Sequence, residues 1–183
     1  MFLHRHPYAP FIPEGSTRLI VGTLPPPRFT TGNLLPTDVN FCYGSSHGLL
    51  WPILDALFNL NLVYKNVPEA IQQRKMFLET HKIGVCDIVA SAQREKVDAS
   101  DLGMRQVALR DMFKILQTHT HITTLLFMGG NSKNGPEYFF RQQAKKAAVP
   151  LITINQEVPR IYQFCLPNSK RTIRTVSLTA PSG

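Results

Sequence analysis

The sequence predicts an α/β fold, a parallel sheet covered by helices on both faces. Three observations carry that expectation. The apolar runs at residues 17–24, 82–89 and 122–128 are short and nearly continuous, as in strands buried on both faces. The stretches between them place apolar residues at helical spacing. Three of the predicted strands end in unusual Gly- or Pro-bearing loops, and in such sheets ligands bind at the carboxyl ends of the strands.

The elements follow in order. Residues 17–24 read as a buried strand closed by Pro25-Pro26-Pro27, a stiff loop. Residues 49–58 place Leu50, Ile53, Leu54, Leu57 and Phe58 on one helical face. Asn66 reads as the cap of a second helix, with Pro68 in its first turn, running to about His81. Residues 82–89 read as a second buried strand, and 105–118 as a helix with Val107, Leu109, Met112, Phe113 and Leu116 inward. A third strand, 122–128, ends in Gly129-Gly130-Asn131, and Pro136 opens a helix to about Ala148. Residues 151–154 and 173–178 are the remaining strand candidates. The loops after Gly22, after Gly129 and after Thr179 are expected to converge on one edge of the sheet.

The chain has 183 residues, the size of one domain, so residues 1–183 are read as a single unit. The apolar fraction of 43% supports a packed core. Cys42, Cys86 and Cys165 are odd in number and far apart, which argues against a disulfide framework or a four-cysteine metal centre and for a reduced, cytoplasmic setting. No run approaches the ~18 apolar residues of a membrane span. The start lacks the apolar stretch of a signal peptide.

The net charge of +8 is uneven: residues 141–183 carry seven basic side chains and one acidic, Glu157. That reads either as a solvated basic face or as a flank for a polyanion. No Walker-type phosphate loop, dinucleotide fingerprint or G-x-S-x-G elbow is present. His4 with His6, and His119 with His121, have a spacing that suits metal ligation from a strand, but no carboxylate or Cys lies beside them in sequence, and neither metal nor cofactor is expected. Cys86, inside an apolar strand, reads as a small buried hydrophobe rather than half of a Cys–His pair.

Five segments together resemble a known family. Gly22-Thr23-Leu24-Pro25-Pro26 is similar to the first motif of the uracil-DNA glycosylase superfamily, in its Gly-Thr/Ser-x-Pro form. His6-Pro7-Tyr8-Ala9-Pro10-Phe11, Phe41-Cys42-Tyr43-Gly44 before a helix containing Trp51, the 83–89 strand and Thr179-Ala180-Pro181-Ser182-Gly183 resemble its hypoxanthine-DNA glycosylase-like branch. The resemblance spans most of the chain in the expected order. It implies a three-layer α/β/α sandwich around a mostly parallel four-stranded sheet. It also implies a monomeric, monofunctional enzyme that flips a deaminated base, uracil or hypoxanthine, out of DNA and hydrolyses its N-glycosidic bond.

The same resemblance implies roles for residues. Phe41 is the first candidate to stack on the extruded base and Tyr43 the second. Asp87 stands where uracil-specific relatives carry Asn; it either reads the base edge or bonds loop amides. Thr23 and loop amides would lie near the attacking water. Asn131, Ser132, Lys133 and Ser182 would hold DNA phosphates, with Lys170 and Arg171 adding charge. The departures concern the water. The first motif offers no Asp or Asn, and Gly48 stands where the hypoxanthine-type branch has Asn. His47 is the nearby side chain of a type that acts near neutral pH. Relatives continue beyond the last motif into an intercalating loop, whereas this sequence ends at Gly183. Two other readings stay open: a catalytically silent nucleic-acid-binding module on the same fold, and a small-molecule nucleotide enzyme using residues 129–135.

Overall fold

The computed structural model describes residues 2–95, 100–130 and 132–181. In chain order the elements are β1 (Phe2–Arg5), β2 (Arg18–Val21), α1 (Pro27–Thr31), α2 (Leu50–Phe58), α3 (Pro68–His81), β3 (Ile83–Val85), β4 (Val89–Arg94), β5 (Met104–Leu109), α4 (Met112–Thr118), β6 (Thr124–Met128), α5 (Pro136–Lys146), β7 (Ile152–Asn155), β8 (Arg160–Cys165) and β9 (Thr172–Leu178).

The main sheet has the order β3-β2-β6-β9-β8-β7. Its first four strands are parallel, as expected, and an antiparallel β7–β8 hairpin extends it to six. Alternation along the strands builds two cores. Leu19 and Val21 of β2 and Leu125 and Phe127 of β6 pack with Met112, Phe113 and Leu116 of α4 and Phe139, Phe140 and Ala144 of α5. On the opposite face, Ile20, Val85, Leu126 and Met128 meet Leu50 and Trp51 of α2 and Ala70, Phe77 and Leu78 of α3. The result is the three-layer sandwich. A second, antiparallel sheet, β1-β4-β5, flanks it.

Three local expectations are corrected. Residues 105–118 are not one helix: β5 occupies the first part, and α4 begins only after Asp111, whose side chain accepts from the Lys114 N–H at 3.0 Å. The run 82–89 is not one strand. It leaves the main sheet after Val85, the Cys86 N–H reaching Ile20 O at 2.9 Å and the Ile88 N–H Gly22 O at 2.9 Å, before β4 starts in the other sheet. Asn66 does not cap α3; Val67 holds that place, without a side-chain bond.

The β8–β9 hairpin moves Lys170 and Arg171 away from where they were expected. Both precede β9, so they sit at the amino end of a strand parallel to β6, opposite the edge where the carboxyl-end loops gather. Arg171 is also occupied. It donates to the carbonyls of Leu116 at 2.7 Å, Ile122 at 2.6 Å and His119 at 3.4 Å, closing the turn between α4 and β6. Arg171→Ala is therefore expected to lower stability by about 3 kcal/mol, since charge-assisted bonds to partly buried carbonyls are lost. Urea unfolding should show a lower midpoint with an unchanged slope; an unmoved midpoint would make Arg171 a solvated surface charge.

Candidate active site

A cavity of about 490 Å³ opens at the carboxyl ends of the parallel strands. The loop after β2 supplies Gly22, Thr23, Leu24, Pro25 and Pro26 to its wall; Met128 closes β6 against it, and Ala180 and Pro181 follow β9. The Leu49 N–H donates to Pro181 O at 2.9 Å, fastening that last loop to the start of α2.

The floor of the cleft is a set of hydrogen bonds centred on Asp87. Its Oδ1 accepts from the Gly22 N–H at 2.9 Å and from the Tyr43 hydroxyl at 2.8 Å. Its Oδ2 lies 2.9 Å from His6 Nε2, and His6 Nδ1 lies 2.9 Å from Tyr8 O. Burial, then the neighbouring Asp87 charge, pushes the Tyr43 phenol well above its ordinary value, so it stays a neutral donor. Gly22 is glycine because of this crowding: a Cβ there would stand 2.5 Å from the Tyr43 hydroxyl oxygen and 2.8 Å from Asp87 Oδ1. Gly44 is confined by backbone instead, since a Cβ would overlap the Val39 carbonyl.

The wall bearing His47 is anchored by a buried ion pair. Asp38 accepts from Arg28 Nε at 2.7 Å and Nη2 at 3.0 Å, from the Leu35 N–H at 2.8 Å and from the Ser46 N–H at 2.8 Å. Arg28 Nη2 also donates to Ser45 Oγ at 2.8 Å. Burial opposes the charge on Asp38, but the guanidinium and the two amides outweigh it and hold the carboxyl well below the usual carboxylate range. Arg28 and His47 both line the cleft.

Of the residues singled out from sequence, the fold brings Thr23, Tyr43, His47 and Asp87 to one cleft. Phe41 is not among them. It is 6% exposed, its ring lies 5.8 Å from Phe11 and 6.4 Å from Trp51, and it belongs to the core beneath α2. The cause is local. Tyr43 takes a left-handed backbone, φ 57°, so its ring turns to the cleft while Phe41 turns inward. Ser132 and Lys133 are exposed in the loop after β6; Asn131 and Ser182 lie outside the described residues. Burial pushes the Cys86 thiol up to about 12, which keeps it from serving as a thiolate.

Sequence reasoning missed two residues that line the cleft, Arg28 and Asp101, and one that supports it, His6, which bonds Asp87. In the sequence His6 stands out only as part of a family-like segment and, with His4, at a metal-ligand spacing. Its neighbour His4 is fully buried and bound to Arg94, whose Nε donates to Nδ1 at 2.9 Å; burial, Arg94 and His6 lower His4 to about 4. Among the described residues no three His, Cys, Asp or Glu side chains gather to hold a metal, and no helix is long and apolar enough to cross a membrane.

No family model matches the chain, and no curated protein does. Among solved structures, a solution NMR structure of "a putative Uracil DNA glycosylase from Methanosarcina acetivorans" superposes with a TM-score of 0.56 at 17% identity, covering 80% of each chain. The sandwich described above is thus a uracil-DNA glycosylase-like fold.

Proposed function

We propose that this chain is a monofunctional DNA glycosylase, of the hypoxanthine-DNA glycosylase-like kind, that hydrolyses the N-glycosidic bond of a deaminated base after flipping it from DNA. The observation that carries the reading is the cleft at the strand ends. Its volume lies within the usual range for small-molecule pockets. Its floor combines an aromatic ring, a carboxylate and a strand-end amide beneath a glycine that no other residue can replace without displacing them.

In this reading Tyr43 takes over from Phe41 as the ring that meets the base, and Asp87 fixes it. Thr23 and His47 flank the reacting bond. Arg28 on the rim and Lys133 with Ser132 on the loop after β6 meet phosphates, together with Asn131 and Ser182. The protein acts as a monomer and needs no cofactor. Bond cleavage gains from donors already in place where charge develops on the leaving base.

The test is excision from oligonucleotides carrying uracil, hypoxanthine or xanthine, with alkali to reveal abasic sites, alongside DNA binding at several salt concentrations. Cleavage of one of the three supports the reading. Salt-sensitive binding without excision would leave a silent DNA-binding module; absence of both would remove DNA as the partner.

A further inference from the structure

Asp101 stands on a single 3-10 turn, Asp101–Gly103, between β4 and β5, in a segment that shares no motif with the rest of the site. Its carboxyl nevertheless lines the same cleft as Gly22, Tyr43 and Asp87. The Thr23 hydroxyl donates to its Oδ1 at 2.8 Å, and Oδ2 has no hydrogen-bond partner among the described residues. The turn beneath it is fixed. Asn134 Nδ2 donates to the Asp101 carbonyl at 3.0 Å, and Arg94 Nη1 donates to Ser100 O at 2.6 Å. Asn134 is itself buried, with a left-handed backbone at φ 64°. Three separate elements therefore hold one carboxyl at the cleft, with one oxygen engaged by Thr23 and the other without a hydrogen-bond partner among the described residues.

We propose that Asp101 is the general base of the glycosylase, with Thr23 orienting it, in place of the Asp or Asn that the first motif lacks. This rests on the glycosylase reading above and names the group that reading leaves open. In the step, a water held by Asp101 Oδ2 forms the O–C1′ bond and passes its proton to the carboxylate. The C1′–N bond breaks, its electron pair leaves on the base nitrogen, and that nitrogen is protonated from solvent. Asp101 then returns its proton to solvent.

The charged and titratable groups around Asp101 fit a base active near neutrality. Burial raises its carboxyl to about 6, against the Thr23 hydrogen bond and the Arg94 charge and with the Asp87 charge. Arg28, Tyr43 and His47 line the cleft besides. A raised carboxyl has a signature in stability. Native Asp101 holds its proton to a higher pH than the unfolded chain, whose reference value is 3.8. Stability is therefore lost as pH rises between that value and about 6, and the loss is complete above it. Asp101→Asn, which still accepts from Thr23, should melt at a higher temperature than the parent above pH 6 and converge with it below pH 4.

The experiment is single-turnover excision across pH by the parent, Asp101→Asn, Asp101→Ala and His47→Gln, with DNA affinity measured for each. Asp101→Asn is expected to lose roughly 10²–10⁴-fold in rate. It should also lose the rise in rate centred near pH 6, keep its DNA affinity and gain thermal stability. Formate should restore part of the Asp101→Ala rate. If the parent excises and Asp101→Asn stays within threefold of it, or if the pH limb vanishes only in His47→Gln, Asp101 is not the base while the glycosylase reading survives. If the parent excises none of the bases, both fall together.

Discussion

Asp38→Ala is expected to destabilise the protein by about 3–5 kcal/mol at neutral pH, the cost of breaking a buried ion pair by removing one partner. Asp38 is fully buried, and its two oxygens satisfy two guanidinium nitrogens and two backbone amides. Removing the carboxylate strands Arg28, whose side chain is 20% exposed, and frees the Leu35 and Ser46 amides with it. The pH dependence has a definite sign. The native carboxyl lies well below its unfolded value of 3.8, so the pair's stabilisation is complete above that value and drains away as pH falls below it. Urea midpoints measured from pH 7 downward should fall steeply for the parent below pH 4 and less steeply for Asp38→Asn. Because Ser45, Ser46 and His47 ride on this anchor, cleft geometry should suffer as well. Parallel acid profiles for parent and variant would show that Asp38 is not held as an ion.

What the sequence displays of this fold is the part buried on both faces. After their first residues, Arg18 and Thr124, β2 and β6 are unbroken apolar runs, so they announce themselves, and the helices that cover them carry the matching stripe. The parts that escape notice are half-exposed. β5 interleaves Arg105 and Gln106 with Val107 and Leu109 and then meets Met112, a pattern that satisfies a helical period as well as a strand's. β8 contains Arg160, Tyr162 and Gln163 and has only Phe164 buried, so no periodicity marks it. That omission misdirected Lys170 and Arg171, because only the antiparallel hairpin reveals at which end of the sheet the turn before β9 lies. Within the site, Thr23, Tyr43 and Asp87 were legible through the resemblance of their segments to glycosylase motifs, and His47 through its place beside Gly48. The choice between Phe41 and Tyr43 was not, since it depends on one left-handed backbone angle. Asp101 was invisible for a different reason: nothing local distinguishes a polar loop aspartate from one that the tertiary fold presses against a threonine 78 positions away.

At Asp87 the two simplest substitutions should separate positioning from recognition. The side chain is 10% exposed; its Oδ1 already accepts two hydrogen bonds and its Oδ2 faces His6. An acceptor this committed has little left with which to read a base, so its first duty is to hold Gly22, Tyr43 and His6 in place. Asp87→Ala leaves the Gly22 amide and the Tyr43 hydroxyl without their acceptor. It is expected to cost about 2–4 kcal/mol of stability, and excision should fall at least 100-fold because the ring no longer has a fixed tilt. Asp87→Asn is gentler. Its Oδ1 still accepts from Gly22 and Tyr43, and its amide donates to His6 Nε2 once the imidazole keeps its proton on Nδ1, where Tyr8 O lies at 2.9 Å. The fold should survive with less than about 1.5 kcal/mol lost. What changes is the cleft floor: a carboxylate that only accepts becomes an amide that also donates. Both bases present a carbonyl beside an N–H, but on rings of different size, so the new donor meets them at different positions and the uracil-to-hypoxanthine rate ratio should change. Excision of both bases by parent and Asp87→Asn across pH decides the matter. A shifted ratio with Tm little changed means that Asp87 touches the base, whereas an unshifted ratio in Asp87→Asn, with Asp87→Ala crippled, confines Asp87 to holding the strand-end amide and the tyrosine.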